Sequence, residues 1–262
     1  MGKKVLAELV KKEMLIEGIY KFSVRSKEMA DVAKAGQFLE IKVSNDIEPL
    51  LRRPISIYNV DKENGIVEFV FQVRGRGTEI LKDRREGDLI DILGPLGNGV
   101  FTVDKEYENV AIIGGGIGTY PLYELAKELK GKAKKVTMYM GFRNKELVTL
   151  EKEFLEVVDN LVITTDDGSY KKQGYAIDVL KEDNKSEKFD IVFACGPTPM
   201  LKAVKSFVDE EKIYAELSLE ERMGCGVGAC LGCATKIIDG DSFKYGHVCK
   251  DGPVFDASKV EL

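Results

Sequence analysis

Four cysteines near the carboxyl end of this 262-residue chain are the side chains best suited to bind a metal. They follow the pattern Cys225-x4-Cys230-x2-Cys233-x15-Cys249. Thiolates are soft ligands for zinc or for iron–sulfur clusters. Zinc mostly takes cysteines in two close pairs, whereas three thiolates at x4 and x2 with a distant fourth are the plant-type spacing of a [2Fe–2S] cluster. The spacing therefore favours a [2Fe–2S] cluster over zinc, with unligated cysteines as the remaining alternative.

The residues around these cysteines fit the same interpretation. Glycines stand between the ligands at 224, 226, 228 and 232, which lets a loop wrap closely and turn its backbone N–H groups toward sulfur. His247, the one histidine of the chain, precedes Cys249 by two residues. Because four cysteines complete a cluster, we expect His247 to lie beside the ligands or at the surface and not to bind metal.

A second group of residues indicates a flavin. A cluster passes single electrons and a nicotinamide takes a hydride, and a flavin can connect the two. In the segment Arg53–Ser56, Arg-Pro-Ile-Ser, the guanidinium can bind a pyrophosphate and the hydroxyl can reach a flavin ring. In Gly75-x-Gly77-Thr78, backbone N–H groups and a hydroxyl suit a phosphate. The alternative there is a simple glycine turn capped by Thr78.

A third group of residues is typical of nucleotide binding. The glycine-rich loop Gly114–Gly118 follows an apolar run and precedes a helical pattern, although its last glycine comes one residue too early for the Rossmann G-x-G-x-x-G. A later apolar run ends in Ala194-Cys195-Gly196-Pro197, where a small thiol and a glycine fit a flat nicotinamide ring at a sheet's carboxyl edge. The alternative for Cys195 is a buried thiol at a strand end.

Three regions must position these residues. Residues 1–104 contain short β-type runs separated by glycines, which predicts a small antiparallel β-barrel or sandwich. The predicted strands are Val5–Val10, Leu15–Val24, Phe38–Val43, Ile66–Val73 and Leu89–Ile92. Residues 105–212 alternate apolar strands with helical stripes, which predicts an α/β domain with a parallel sheet. Residues 213–262 have few periodic apolar residues, so this small C-terminal domain needs a metal or a partner to hold together.

Composition excludes several classes of function. The 39 basic and 44 acidic residues give a net charge of −5, which argues against a polybasic nucleic-acid binder. No apolar run approaches the roughly 20 residues of a membrane span, and the first residues lack the pattern of a signal peptide. We therefore expect a cytoplasmic protein with neither a nucleic-acid nor a membrane partner.

Taken together, these motifs resemble the ferredoxin–NADP reductase superfamily, whose members bind flavin with R-x-x-S and nicotinamide with G-G-G-x-G-x-x-P and a late C-G-P. The whole chain is similar to the electron-transfer subunits of bacterial class 1B, NAD-linked dihydroorotate dehydrogenases. The closer resemblance rests on the doubled arginine in Leu51–Ser56, on Gly94–Gly99, on Thr165–Ser169 and on Asp251–Phe255.

The resemblance implies an FAD-binding domain over residues 1–104, an NAD-binding domain over 105–212 and a [2Fe–2S] domain over 213–262. An FMN-containing partner, in two copies with two of this chain, would oxidise dihydroorotate in pyrimidine biosynthesis, and electrons would pass through the cluster and FAD to NAD. The implied FAD-binding residues are Arg53, Pro54, Ile55, Ser56, Val70, Phe71, Gln72, Gly77 and Thr78. The implied NAD-binding residues are Gly115, Gly116, Gly118, Cys195 and Gly196. The four cysteines are the implied metal ligands, and no catalytic residue is predicted.

Two other functions compete with this interpretation. A flavin and iron–sulfur subunit of a bifurcating ferredoxin:NADP oxidoreductase or sulfide dehydrogenase shares nearly all of these motifs. A zinc-stabilised binding protein would leave both the flavin and the nicotinamide loops unexplained. NAD is favoured over NADP because Asp166 and Asp167 would repel a 2′-phosphate, although Arg143 could bind one. We expect the cluster region to dock the partner through exposed apolar side chains, which are Met223, Val227, Leu231 and Val254.

Overall fold

The structure is a computed structural model that describes residues 2–44, 48–240 and 242–262. The chain divides into two compact units. The first unit contains Met1–Val100, Glu220–Thr235 and Gly246–Pro253, and the second contains Phe101–Leu219, Lys236–Tyr245 and Val254–Leu262. The C-terminal region from residue 213 onward therefore contributes segments to both units.

A closed six-stranded antiparallel barrel forms the centre of the first unit, which confirms the predicted β-barrel. Its strands are β1 (Lys3–Ile16), β2 (Ile19–Arg25), β3 (Phe38–Lys42), β4 (Arg53–Asp61), β5 (Ile66–Gln72) and β6 (Leu89–Leu96). They follow the order β1-β2-β5-β4-β3-β6, and β6 pairs back onto β1. Two short helices, α1 (Lys27–Val32) and α2 (Arg76–Lys82), connect strands of the barrel.

Two features of the barrel differ from the predicted strands. The apolar run 15–24 is two strands, because the chain reverses at Gly18, whose φ of +78° is a left-handed conformation that favours glycine. The flavin motif Arg53–Ser56, which was not among the predicted strands, lies at the start of β4. Ser26 caps the start of helix α1, because its hydroxyl accepts a hydrogen bond from the backbone N–H of Met29 at 3.3 Å.

Side chains of the barrel strands alternate between its core and its outer side. On β5, Val67, Phe69 and Phe71 belong to the buried core, as do Leu39 and Ile41 on β3. The residues between them on each strand therefore point outward, because successive side chains of a strand face opposite sides. This alternation decides which of the predicted site residues can meet a cofactor on the outside of the barrel.

A seven-stranded sheet forms the centre of the second unit. Its strands are β7 (Tyr107–Gly115), β8 (Ala133–Phe142), β9 (Asn160–Thr165), β10 (Lys172–Gln173), β11 (Ile191–Cys195), β12 (Tyr214–Ser218) and β15 (Val254–Asp256). They follow the order β10-β9-β8-β7-β11-β12-β15. All neighbours are parallel except β12 and β15, which confirms the α/β domain. The helices of this unit are α3 (Leu122–Leu129), α4 (Glu151–Leu155), α5 (Ala176–Ser186) and α6 (Thr198–Glu211).

The C-terminal region adds a two-stranded sheet of β13 (Ala234–Asp239) and β14 (Ser242–His247). Val254, expected among the exposed docking side chains, is only 6% exposed because β15 pairs with β12 at the edge of the large sheet. That expectation is wrong. In the described part of the chain, no helix has the length and apolar character needed to cross a membrane.

Candidate cofactor-binding sites

The predicted FAD residues on β4 and β5 separate into two groups. The side chains of Ile55 and Phe71 lie in the barrel core. Those two residues can therefore offer a cofactor only their backbone. The residues that alternate with them face the outer side of the barrel, and they are Pro54, Ser56, Val70 and Gln72. A flavin on this side would meet strands β4 and β5 together.

The two adjacent arginines before Pro54 have different roles in the structure. Arg52 donates hydrogen bonds to the Asp91 carbonyl at 3.0 Å, to the Asp91 carboxylate at 2.7 Å and to the Glu40 carbonyl at 3.2 Å. It thereby ties the start of β4 to β3 and β6. Arg53 instead donates to the carbonyl of Leu51 at 2.7 Å and to that of Arg52 at 3.2 Å, through Nη1. Arg53 is thus the arginine whose guanidinium fork is better placed to bind a phosphate.

Gly77 and Thr78 serve the flavin region in different ways. A Cβ atom at position 77 would lie 2.2 Å from Arg53 Nε, so glycine makes room for the guanidinium. The Thr78 hydroxyl accepts hydrogen bonds from the backbone N–H groups of Arg74 at 2.9 Å and Gly75 at 3.3 Å. That hydroxyl caps the turn before α2, as in the simpler of the two sequence interpretations, and a cofactor contact of Thr78 stays a prediction.

The four cysteines lie close together in one loop region. The backbone N–H of Cys249 donates to Cys233 Sγ at 3.4 Å, and that of Gly228 donates to Cys249 Sγ at 3.1 Å. A Cβ atom at position 224 would lie 3.3 Å from Cys230 Sγ. Four soft thiolates with backbone N–H donors around them suit a binuclear [2Fe–2S] cluster. The donor set therefore fits the cluster.

Backbone N–H groups of the loop point at the sulfur atoms. Val227 and Ala229 donate to Cys225 Sγ at 3.5 and 3.2 Å, and Gly228 donates to Cys249 Sγ at 3.1 Å. Burial raises the pKa of the Cys225 thiol, but the N–H groups of Val227, Ala229 and Cys230 outweigh burial and bring that pKa to about 6. Cys225 is therefore readily available as a thiolate ligand.

Two glycines and His247 complete the geometry of this loop. Gly226 and Gly228 have φ values of +69° and +79°, so the wrapping of the loop depends on residues without a side chain. The imidazole Nδ1 of His247 lies 3.6 Å from the carboxylate of Asp251. Its Nε2 is buried and has no hydrogen-bond partner among the described residues. His247 is thus half-buried and lies two residues before Cys249 in the chain, and its role stays a prediction.

Glu40 is a residue of this region that the sequence analysis missed. It faces the outer side of β3, directly opposite Pro54 of β4, and it is only 1% exposed. A Cβ atom at position 226 would lie 2.5 Å from Glu40 Cγ, so the cysteine loop covers this carboxyl. Burial is the main cause that raises the pKa of Glu40 to about 7, and the negative charge of the Cys225 thiolate adds to the rise. The positive charges of Arg52 and Arg53 oppose it. A single acid in an apolar strand reads as solvent-facing, so the sequence carried no signal for its burial.

The predicted NAD residues meet at the carboxyl ends of two adjacent parallel strands. Cys195 of β11 lies in register with Gly114 of β7. A Cβ atom at position 118 would lie 2.6 Å from Gly196 Cα and 2.7 Å from the Cys195 carbonyl oxygen. The structure therefore brings the loops after β7 and β11 into backbone contact, and glycine is required for that contact before any nucleotide binds.

The remaining glycines of the loop differ from one another. A Cβ atom at position 115 would lie 2.8 Å from the Met200 sulfur and 2.9 Å from Pro197 Cδ. Gly116, by contrast, has no atom within 4 Å of a Cβ at its position, and its φ is +54°. Gly116 thus lies at the open side of the loop. Cys195 is 1% exposed, as expected for a buried thiol at a strand end.

The two aspartates that were expected to disfavour NADP follow strand β9 and are exposed. The Asp167 carboxylate accepts hydrogen bonds from the backbone N–H and hydroxyl of Ser169, at 2.9 and 2.6 Å, and these bonds lower its pKa. Asp167 also donates its backbone N–H to the carbonyl of Arg143 at 3.3 Å. The loop after β9 is thus held close to the loop after β8.

Exposed apolar side chains flank the predicted cysteine ligands. Val227 is 47% exposed and Leu231 is 66% exposed, while Met223 is half-buried. Leu231 also has a φ of +60°, an unusual conformation for leucine that costs roughly 1–2 kcal/mol. The neighbouring Cys230, a predicted ligand, is itself exposed. One side of the cluster region therefore reaches the surface with apolar side chains around it.

Comparisons with known proteins show which cofactors the chain is built to bind. Three family models match: an oxidoreductase FAD-binding domain over residues 6–101, an oxidoreductase NAD-binding domain over residues 112–206, and the iron-sulfur cluster binding domain of dihydroorotate dehydrogenase B over residues 220–261. These matches confirm the prediction of FAD, NAD and an iron–sulfur cluster.

Individual relatives cover the whole chain. The dihydroorotate dehydrogenase B (NAD(+)) electron transfer subunit of Lysinibacillus sphaericus (strain C3-41) is 41% identical over 97% of both chains, and that of Geobacillus sp. (strain WCH70) is 40% identical over 100% of both. A solved NADH-dependent reduced ferredoxin-NADP oxidoreductase matches with a TM-score of 0.86 and 31% identity over 100% of this chain and 91% of that one. The ferredoxin reductase of carbazole 1,9a-dioxygenase shares the fold, with a TM-score of 0.69 and 20% identity over 81% of this chain and 67% of that one.

The chain belongs to the family of dihydroorotate dehydrogenase B electron transfer subunits, and it is an NAD-linked oxidoreductase subunit with FAD-, NAD- and iron–sulfur-binding domains.

Proposed function

We propose that this chain passes electrons from the FMN of a dihydroorotate-oxidising partner, through a [2Fe–2S] cluster and FAD, to NAD+ in pyrimidine biosynthesis. The observation that carries the proposal is the arrangement of the first unit. Four cysteines suited to a binuclear cluster lie in the same unit as the outer barrel surface formed by β4 and β5. The bound groups supply the electron chemistry, because FAD exchanges one or two electrons whereas the cluster exchanges one.

The residues of the barrel would hold and orient FAD. Arg53 is proposed to bind the pyrophosphate, with Gly77 leaving space for its guanidinium. Ser56 and Val70 are proposed to contact the flavin ring from the outer side of β4 and β5, and Thr78 keeps the adjoining turn in shape. These assignments give each motif residue a role in binding, and they give none of them a role in proton transfer.

The second unit would bind the nicotinamide at the loops after β7 and β11. Gly116 on the open side of its loop is proposed to approach the nucleotide, while Gly115, Gly118 and Gly196 keep the two loops in contact. Cys195 ends the strand beneath them, where a small side chain leaves room for a flat ring. We further propose action in the cytoplasm, where thiols of a cysteine cluster stay reduced.

The exposed apolar side chains beside Cys230 are proposed to dock the FMN subunit, in an assembly with two copies of each chain. Electron transfer weakens steeply with distance, so the partner must approach the cluster closely. Leu231→Glu should prevent copurification with the partner while FAD stays bound to this chain. Met14→Glu is the matched control, because Met14 is 59% exposed on β1 of the barrel and lies outside the cysteine loop. Assembly of the Leu231 variant at the wild-type level would exclude this docking surface.

Coexpression with the FMN subunit tests the proposal as a whole. The complex should reduce NAD+ with dihydroorotate, and the separate chain should carry flavin and [2Fe–2S] absorption without dihydroorotate activity. A second candidate function is supported by the 31% identity to the ferredoxin-NADP oxidoreductase over the full chain. A clear preference for NADPH together with ferredoxin, and no activity with dihydroorotate, would establish that second function instead.

A further inference from the structure

Glu40 occupies the space between the flavin-facing strand and the cysteine loop. Its side chain leaves β3 on the outer side, next to Pro54, which faces the same side of β4. Gly226 of the cysteine loop covers it so closely that a Cβ there would lie 2.7 Å from Glu40 Oε1. The two regions proposed to hold FAD and the cluster therefore meet at one carboxyl group within the first unit.

This carboxyl is unusual because the described residues leave both of its oxygens buried and without a hydrogen-bond partner. A buried carboxyl normally has hydrogen-bond or ionic partners, since leaving it unpaired is costly. Donors of the neighbouring segments are engaged elsewhere. Arg52 directs its guanidinium to Asp91 and to the Glu40 carbonyl, and the loop N–H groups of Val227 and Gly228 point at sulfur. Packing alone would be better served by an apolar side chain of similar volume.

We propose that Glu40 is a positioning residue for electron transfer whose negative charge, held between the flavin surface and the cysteine loop, lowers the reduction potential of the cluster. The inference rests on the proposed function, because it requires the cluster to be an electron carrier. Reduction adds one electron to the cluster and breaks no bond, so an anion nearby makes reduction less favourable. Burial strengthens the effect, because water screens the interaction less there.

A lower cluster potential has a direct consequence for the reaction. The electron must leave the cluster for the flavin in the direction of NAD+, and a carboxylate beside the cluster favours that departure. Gly226 then has two functions. It adopts the left-handed φ of +69°, and its lack of a side chain allows the loop to approach Glu40 this closely.

The test is a potentiometric titration of the purified full-length chain at pH 8.5, followed by the EPR signal of the reduced cluster. Glu40→Gln keeps the shape and removes the charge. At a fixed ambient potential, this variant should raise the ratio of reduced to oxidised cluster at least tenfold. For a one-electron couple, a tenfold change corresponds to a rise of about 59 mV in the reduction potential. Glu40→Asp withdraws the charge from the loop, and it should raise the ratio in the same direction by less, about twofold to threefold.

Glu68→Gln is the matched control. Glu68 also faces the outer side of a barrel strand, but its carboxylate accepts hydrogen bonds from Ser23 and Asn59. This variant should keep the wild-type ratio.

If the Glu40→Gln variant failed to hold its cluster, the Glu40→Asp variant alone would decide. An unchanged ratio in the variants of Glu40, or an equal rise in the Glu68 variant, would overturn the inference. Loss of the EPR signal from the wild-type chain itself would instead overturn the proposed function and this inference with it.

Discussion

The cysteine loop of the first unit and the glycine loops of the second unit are both rich in glycine, but they use it differently. Gly226 turns through a left-handed conformation and admits the side chain of Glu40. Gly118, in contrast, brings the backbones of two loops together, because a Cβ there would lie 2.6 Å from Gly196 Cα. A glycine-rich motif therefore shows that a close approach occurs, but it does not show what approaches.

The same two regions also differ in what satisfies their polar groups. In the cysteine loop, N–H groups of Val227, Gly228 and Ala229 point at sulfur, so the loop is shaped around its ligands. In the second unit, strands β7 and β11 are paired in register up to Gly114 and Cys195, so the sheet shapes the site. We infer that removing a ligand affects the first region most and that added volume affects the second most.

The largest effect is expected from Cys249→Ala. Loss of one of four thiolates should abolish the EPR signal of the reduced cluster and free the loop N–H group that points at this sulfur. The measurement is EPR after dithionite reduction. Cys195→Ala is the control, since Cys195 is buried in the second unit and should leave the signal intact. A full signal in the Cys249 variant would remove this residue from the ligand set.

Arg53→Ala should weaken FAD binding through loss of a charge-assisted hydrogen bond of roughly 1.5–3 kcal/mol, which is about a tenfold to hundredfold change in Kd. The measurement is equilibrium titration of the deflavinated chain with FAD. Arg52→Ala provides the contrast, because Arg52 bonds to Asp91 within the barrel. It should lower the free energy of unfolding more than FAD affinity. Equal FAD binding in wild type and the Arg53 variant would place the pyrophosphate elsewhere.

Gly118→Ala should lower the free energy of unfolding by roughly 1–3 kcal/mol, because its Cβ would overlap the backbone of residues 195 and 196. It should also raise the KM for NAD by moving the two loops apart. Urea unfolding and steady-state kinetics measure both effects. Gly141→Ala is the matched control on β8, where the new Cβ would make an ordinary contact of 3.4 Å with Ala176. A stable Gly118 variant would mean that the loops do not touch in solution.

The smallest effect is expected at the two aspartates after β9. Replacing Asp166 and Asp167 together by asparagine removes the charges that would repel a 2′-phosphate. Because both side chains are exposed and water screens their charges, we expect a gain of only about twofold to fivefold in kcat/KM for NADP relative to NAD. Steady-state rates with both nucleotides provide the test. An unchanged ratio would show that this loop does not contact the ribose.

Local sequence determined the parts of this protein that depend on spacing and periodicity. The x4 and x2 spacing of Cys225, Cys230 and Cys233 marked the cluster, since ligands close in the chain remain close in space. The alternation of strands and helices after residue 104 predicted the parallel sheet, because each type of element has its own hydrophobic period. Neither inference required knowledge of distant contacts.

Only the tertiary structure decided the roles that depend on contacts between distant residues. It separated Arg52, which ties three strands together, from Arg53, which faces Gly77. It also buried Glu40 beneath Gly226, although these two residues are 186 positions apart in the sequence. Strand alternation predicts only that Glu40 faces away from the barrel core. Whether that side meets water or another segment is set by how the chain returns to the barrel, and local sequence does not encode this.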